Sequence, residues 1–270
     1  MNKHPIGVFD SGLGGLSAVK ELLRILPHED IVYFGDTGRV PYGTRSRETI
    51  IKYAKQDTSF LLSRGVKMVI AACGTVSSVA TELNYQLPLP FTGVVKPTCA
   101  AASCVTKNGK IGVIGTTATI KSGSYKRELT ALDRELQVFE QDCPLFVPLV
   151  ENGYISPDDP VVCLVIERYL SVLVNADIDT LILGCTHYPI ISEAISKVIG
   201  KQITIIDSGR ETALYAAKCL EQNGLLNDSQ NKGNCSFYVS DSIDGFSQTA
   251  ALFLGQNIDR KVSRVSIDTI

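Results

Sequence analysis

The sequence predicts an α/β protein made of two similar, doubly wound domains of parallel β-sheet, with a ligand site in the cleft between them. Short apolar segments alternate with amphipathic ones along most of the 270 residues, which is typical of repeated βα units. Residues 6–9 (IGVF) are echoed by residues 111–114 (IGVI), which indicates an internal duplication. Residues 68–73 and 180–185 also resemble each other, since each is an apolar run that ends at a cysteine.

The apolar periodicity predicts the elements of the first part of the chain. Gly65 and the prolines at 88 and 90 mark two of their ends, because glycine caps helices and proline interrupts regular structure. In order, we expect strand 6–9, helix 13–26, strand 31–34, helix 45–63, strand 66–72, helix 76–83 and strand 91–95.

The second part repeats the alternation, and a polar stretch at 223–234 predicts a surface loop. The expected elements are strand 110–114, helix 118–129, strand 136–140, helix 160–174, strand 180–183, helix 190–199, strand 203–206, helix 208–220, strand 236–239, helix 246–254 and strand 262–265. We place residues 1–93 and 208–270 in a discontinuous first domain and residues 94–207 in the second.

Composition excludes several classes of protein. The net charge is −2 and no basic run exceeds Lys126-Arg127, so nucleic acid is not an expected partner. No apolar stretch is long enough for a membrane span and the first residues do not resemble a signal peptide, so we expect a cytoplasmic protein. The sequence has eight cysteines but three histidines and no Cys-x-x-Cys pair, which argues against disulfides and a zinc site.

Cys73 and Cys185 are the cysteines that end predicted strands, where parallel sheets bind ligands. A following helix N-terminus favours a reactive thiolate, and His187 stands two residues after Cys185. Val79 and Ile191 occupy the positions six residues on where a cysteine phosphatase loop needs arginine. The plain alternative is a pair of buried structural cysteines, but the repeated arrangement favours function.

Turns at the same sheet edge supply polar groups. Residues 10–15 form a glycine-rich turn that favours a small anion, and Ser17 replaces the third glycine of a dinucleotide fingerprint. Residues 36–43 and the threonines at 116–119 also suit a carboxylate, although taken singly a plain loop explains the former better and simple helix capping explains each threonine better. Glu151 follows an apolar run and either lines the cleft or is solvated.

Two thiols that face one substrate suit inversion of a stereocentre with an acidic C–H bond. One thiolate removes the proton, and the other thiol returns a proton to the opposite face. Fixed N–H and hydroxyl donors at the substrate carboxylate would stabilise the carbanion. No metal, flavin or pyridoxal site is evident in the sequence, so we expect no cofactor.

Nearly the whole chain resembles the glutamate racemases of the aspartate/glutamate racemase superfamily. The matching segments are residues 7–16, 35–37, 39–43, 70–73, 111–120, 148–151 and 183–189, with the tail at 237–240 through 253–255. The resemblance implies cofactor-independent interconversion of L- and D-glutamate, supply of D-glutamate for peptidoglycan, and a homodimer.

The resemblance also assigns roles to residues of this chain. Cys73 and Cys185 would be the two acid/base groups, with Asp10 and His187 as polar helpers and Glu151 assisting. The substrate-contact positions would be Asp10, Ser11, Tyr42, Gly43, Gly74, Thr75, Thr186 and His187.

Gly74 departs from this family, which usually has asparagine between the first cysteine and its threonine. Since that asparagine normally touches the substrate, a shift of substrate within the superfamily is one alternative: aspartate racemization, or a single-thiol isomerase or decarboxylase acting on a hydantoin or malonate-type acid. The other alternative is a non-catalytic binder that holds a small acid between two domains.

Overall fold

A computed structural model describes residues 2–81, 83, 87–255, 258 and 262–267 of the chain. Its strands form two sheets, and every strand pairing is parallel. The strands in chain order are β1 (Ile6–Asp10), β2 (Ile31–Gly35), β3 (Met68–Ala71), β4 (Phe91–Gly93), β5 (Lys110–Gly115), β6 (Gln137–Asp142), β7 (Thr180–Leu183), β8 (Thr204–Asp207), β9 (Cys235–Val239) and β10 (Val262–Arg264).

The two sheets share a topology. The first has the order β10-β9-β2-β1-β3-β4 and the second β6-β5-β7-β8, so four strands of each sheet follow the same pattern. In that pattern β1 corresponds to β5, and β3 corresponds to β7. The arrangement confirms the predicted fold class of two parallel-sheet α/β halves. The predicted domain boundaries near residues 93 and 207 remain a prediction.

Helices connect the parallel strands, as the crossover geometry requires. In chain order they are α1 (Leu16–Ile25), α2 (Arg47–Ser63), α3 (Gly74–Val79), α4 (Val95–Val105), α5 (Thr117–Ser122), α6 (Ser124–Leu132), α7 (Phe146–Glu151), α8 (Pro160–Asn175), α9 (Ser192–Ile199), α10 (Ser208–Gln222) and α11 (Ile243–Leu254). Short 3-10 helices cover Tyr42–Thr44 and Tyr188–Ile191.

Alternate residues of the central strands pack into different apolar clusters. Ile6 and Val8 of β1 join a cluster that continues into the second half, whereas Phe9 faces a cluster on the other side of the first sheet. Such strands are apolar on both faces because helices cover both sides of the sheet. This explains why the strands appear in the sequence as continuous apolar runs.

Some predicted helices differ from the observed ones. The helix expected at 118–129 is two helices, because Gly123 adopts a left-handed φ of 61° that ends α5 and begins α6. The helix expected at 76–83 begins earlier, at Gly74, and ends at Val79; the rest of that prediction includes position 82, which lies outside the described residues. Helix α7 was not predicted, since Pro148 lies within it.

Among the described residues, no helix combines the length and apolar character needed to cross a membrane.

Candidate active site

A cavity of about 390 Å³ lies between the two sheets, where the strands of both halves end. Its size falls within the range of small-molecule sites, roughly 300–1,000 Å³. Its walls are the segments that follow β1, β2, β3, β5, β6 and β7. Ten of the predicted site residues line it: Ser11, Tyr42, Gly43, Cys73, Gly74, Thr75, Glu151, Cys185, Thr186 and His187.

The two thiols enter this cavity from equivalent places in the two halves. Cys73 lies just beyond β3 and caps α3, and Cys185 lies just beyond β7. The side chains are mostly buried, with residue exposures of 5% for Cys73 and 6% for Cys185. The structure therefore brings both cysteines to the same small space, as the duplicated sequence pattern predicts.

Cys73 lies in a setting that favours the neutral thiol. Burial, reinforced by the charge of Asp10, raises the pKa of the Cys73 thiol to about 12. Its Sγ donates a hydrogen bond to Ser11 Oγ, 3.4 Å away. At neutral pH this group therefore holds a proton that it can give.

Cys185 lies beside a different partner. Its Sγ is 3.9 Å from Nδ1 of His187, whose Nε2 is 3.0 Å from Oε1 of Glu151. Burial lowers the pKa of His187, but the hydrogen bonds to Cys185 and Glu151 outweigh that effect and raise it to about 10. The imidazole is therefore protonated at neutral pH and donates to both the sulfur and the carboxylate.

Asp10 lies behind the cavity wall rather than in it. It is 2% exposed, and its Oδ2 accepts a hydrogen bond of 2.9 Å from the N–H of Gly12. Burial raises the pKa of Asp10, against the opposing charge of His187. Because its charge acts on both Cys73 and His187, Asp10 is placed to influence the two thiol systems without touching the cavity.

The turn after β2 is fixed by a buried polar network. The Tyr42 hydroxyl donates to Asp36 and also contacts Asp57 at 3.0 Å, so it does not point into the cavity. Arg39 pairs with both carboxylates, at 2.6 Å to Asp36 and 3.0 Å to Asp57. Of this turn, the segment from Val40 to Thr44 lines the site.

Residues of the two halves are in close contact around the thiols. A Cβ built on Gly74 would lie 2.2 Å from the carbonyl oxygen of Gly184, and one on Gly14 would lie 2.1 Å from Thr186 Oγ1. Thr75 Oγ1 is 3.1 Å from Thr116 Oγ1 across the same boundary. Glycine at position 74 therefore permits the close approach of the backbone of Gly184, and glycine at position 14 leaves room for the side chain of Thr186.

Sequence reasoning missed part of the wall. The prediction that Cys73 and Cys185 are the cysteines that end strands is wrong, because β6 extends to Asp142 and places Cys143 at the same sheet edge, in the wall of the cavity. Residues of α7, among them Val147 and Pro148, also line the cavity. The predicted strand ends at residue 140, two residues before the end of β6, so these residues did not stand at a predicted strand end.

Thr116 caps a helix, and Thr117 bonds to a side chain at the end of β6. Thr116 Oγ1 accepts from the N–H of Thr119 at 3.3 Å and caps α5, and Thr117 Oγ1 donates to Asp142 at 2.7 Å. Both residues also line the cavity. Within the described part of the chain, no cluster of His, Cys, Asp and Glu side chains has the arrangement of a metal site.

Comparison with known proteins places this fold and cavity in a family. The family description Asp/Glu/hydantoin racemase matches residues 6–216. A glutamate racemase from Geobacter metallireducens is 43% identical over 264 residues, which cover 97% of each chain. The structure of a glutamate racemase isoform from Bacillus anthracis matches with a TM-score of 0.94 and 39% identity over 98% of each chain.

A glutamate racemase from Francisella tularensis, solved in complex with D-glutamate, matches with a TM-score of 0.92 and 38% identity over 100% of each chain. These matches extend over both sheets and the cavity between them. They confirm the relationship that the motifs predict, and this chain belongs to the Asp/Glu/hydantoin racemase family.

Proposed function

We propose that this chain interconverts L- and D-glutamate by passing the α-proton between two thiols, without a cofactor. The observation that carries the proposal is that Cys73 and Cys185, from equivalent positions of the two halves, line one cavity. The relatives named glutamate racemase, including the one in complex with D-glutamate, support glutamate as the substrate.

The surroundings of the thiols suggest how one turnover begins. Cys73 is protonated because burial and Asp10 raise its pKa to about 12. The protonated His187, 3.9 Å from Cys185 Sγ, stabilises the negative charge that this sulfur carries as a base. We therefore assign Cys185 as the first base and Cys73 as the first acid.

The proton transfers balance across the two faces of the α-carbon. The C–H bond breaks towards Cys185, an S–H bond forms there, and the electron pair is delocalised into the substrate carboxylate. The S–H bond of Cys73 then breaks as a new C–H bond forms on the opposite face. Turnover leaves Cys73 as thiolate and Cys185 as thiol, which is the arrangement that the reverse reaction requires.

Donors around the carboxylate lower the barrier to this carbanion. The hydroxyl-bearing residues Ser11, Thr75 and Thr186 line the cavity near the thiols. Donors fixed in place cost no reorganisation when charge develops, and loss of one such donor typically costs about 10²–10³-fold in rate. Asp10 and Glu151 act through their neighbours, Asp10 on Cys73 and His187, and Glu151 on His187.

Aspartate is the second candidate substrate. Gly74 leaves one stretch of the wall without a side chain, and its backbone lies against Gly184, so the polar contact usual in the family is missing. A site that lacks a hydrogen-bonding group discriminates less between related acids. The assay therefore compares the two amino acids directly.

Circular dichroism of D-glutamate and D-aspartate, without added cofactor, tests the proposal. We expect the D-glutamate signal to decay to zero and D-aspartate to react more slowly. Cys73→Ala and Cys185→Ala should each lose about 10²–10⁴-fold in rate, the usual contribution of a general acid or base. Faster racemization of D-aspartate would overturn the substrate, and wild-type rates in either variant would overturn the mechanism.

Other cysteines provide matched controls. Cys104 is exposed on α4 and does not line the cavity, so Cys104→Ala should keep the wild-type rate. Cys143 does line the cavity, but it is fully buried with its Sγ 3.8 Å from the carbonyl oxygen of Gln141, so we expect Cys143→Ala to retain racemization as well. If only Cys143→Ala lost activity, the assignment of the acid/base chemistry to Cys73 and Cys185 would be wrong.

The resemblance supports three wider proposals: a cytoplasmic protein, a homodimer, and supply of D-glutamate for peptidoglycan. Depletion of the protein in its host should halt growth unless D-glutamate is added. Light scattering on the purified protein should give twice the 29.2 kDa mass of one chain. Growth without D-glutamate, or a monomeric mass, would contradict the corresponding proposal.

A further inference from the structure

A second cavity of about 340 Å³ lies beside the candidate active site, where α2, α3, α5 and α6 come together. Its lining comes from both halves of the molecule: α2, α3 and their neighbouring loops on one side, and α5 and α6 on the other. None of its residues belongs to the lining of the first cavity. The reaction proposed above makes no use of this space.

The charged residues that line this second cavity are basic. Arg45 from the first half and Lys121 and Arg127 from the second half line it, and none of its lining residues in the described part of the chain is acidic. Arg127 Nη1 donates a 2.6 Å hydrogen bond to the carbonyl of Ser122, which holds the guanidinium at the cavity. Like charges gathered in one concave site create a positive potential that attracts anions.

A buried hydroxyl in the wall is a second, independent sign of a ligand. Ser78 lines the cavity, is 3% exposed, and its Oγ has no hydrogen-bond partner among the described residues. Buried polar groups are normally hydrogen-bonded, and each exception calls for an explanation. An oxygen of a bound anion would accept the hydrogen bond from this hydroxyl.

Two short helices connect the second cavity to the first. Helix α3 begins with Gly74 and Thr75 in the active-site wall and reaches Ser78 and Val79 in the second cavity. Helix α5 begins with Thr117 in the first cavity and ends with Lys121 and Ser122 in the second. A ligand held by both helices would therefore fix the two walls of the active site relative to each other.

We propose that this second cavity binds a ligand with at least two anionic oxygen groups, phosphate or carboxylate, which bridges the two halves. Arginine pairs with such groups through parallel hydrogen bonds, and the three cations Arg45, Lys121 and Arg127 match a multiply charged ligand better than a single carboxylate. The proposal concerns binding and does not depend on which substrate the first cavity takes.

Isothermal titration calorimetry with inorganic pyrophosphate, and separately with citrate, tests the proposal. We expect saturable binding of one equivalent of pyrophosphate by the wild-type chain. Arg45→Ala and Lys121→Ala, one from each half, should each weaken it by about tenfold or more, since each removes a charged hydrogen-bond partner. Binding of citrate as well would extend the site to carboxylates, and pyrophosphate alone would restrict it to phosphates.

Matched variants separate this site from unspecific attraction. Arg134 is exposed and lies outside the cavity, so Arg134→Ala should keep the wild-type affinity. Ser78→Ala removes the unpaired hydroxyl, so it should weaken pyrophosphate binding severalfold while leaving the melting temperature equal or higher. No saturable heat with either anion, or the same affinity in Arg45→Ala, Lys121→Ala and Arg134→Ala, would overturn the proposal.

Discussion

Gly74→Ala tests how closely the two halves must approach to bring the thiols together. The new Cβ would lie 2.2 Å from the carbonyl oxygen of Gly184 and 3.8 Å from Cα of Cys185. The obstructing oxygen belongs to the backbone, so it cannot swing aside as the tip of a side chain would. The loops that carry Cys73 and Cys185 must therefore move apart.

The size of this effect follows from the geometry. Ordinary contacts begin at 3.4 Å, so the loops must separate by roughly 1 Å, and a misplacement of that size costs about 100-fold in rate. We expect kcat/KM for racemization of glutamate to fall by about this factor. Gly74→Asn adds the same Cβ and should lose at least as much.

Circular dichroism at saturating and limiting D-glutamate measures the effect, and a far-ultraviolet spectrum checks that the variant is folded. Gly245→Ala is the control, because its added Cβ lies no closer than 3.7 Å to Ser242 Oγ on an exposed helical turn. Alanine there should stabilise the helix by up to about 1 kcal/mol without changing the rate. If Gly74→Ala matches or exceeds the wild-type rate, the reasoning about this contact is wrong.

Three further predictions concern protonation and capping. The pKa of His187 is raised from 6.5 to about 10, so the stability that its cation provides is fully present below pH 6.5 and is lost as the pH rises through 10. Urea unfolding should therefore show a free energy of unfolding that falls over this pH range in the wild type and not in His187→Gln. The same pH dependence in both proteins would contradict this. Because the pKa of Cys73 is about 12, iodoacetamide at pH 7.5 should label the exposed Cys104 well before Cys73, as followed by peptide mass spectrometry. Faster labelling of Cys73 would show that its thiol is not buried and protonated. Thr116→Val removes the cap of α5 and the contact with Thr75, so the free energy of unfolding measured by chemical denaturation should fall by about 1 kcal/mol. An unchanged value would show that the cap does not stabilise the fold.

The sequence predicted the sheets better than the connections between them. Strands β1, β2 and β7 were expected within a residue of their observed bounds, because buried parallel strands are continuous apolar runs. The split at Gly123 and the helix around Pro148 were missed, since both depend on local backbone geometry that apolar spacing does not encode.

The candidate site was predictable at the ends of strands and less so elsewhere. Cys73, Cys185 and His187 stood out because a repeated pattern placed them at the edge where ligands bind. The approach of Gly74 to Gly184 was not predictable, since it depends on how the two halves pack. The same is true of Cys143, whose place in the wall follows from two further residues of β6.

The central claim is that two thiols face one carbon from opposite sides, and hydrogen exchange tests it most directly. Proton NMR in deuterated buffer would follow the α-hydrogen of each glutamate enantiomer with Cys73→Ala and with Cys185→Ala. The two-thiol mechanism predicts that each variant exchanges the α-hydrogen of one enantiomer only, without inversion, and that the two variants choose opposite enantiomers. Exchange of the same enantiomer by both variants, or of both enantiomers by either one, would contradict it.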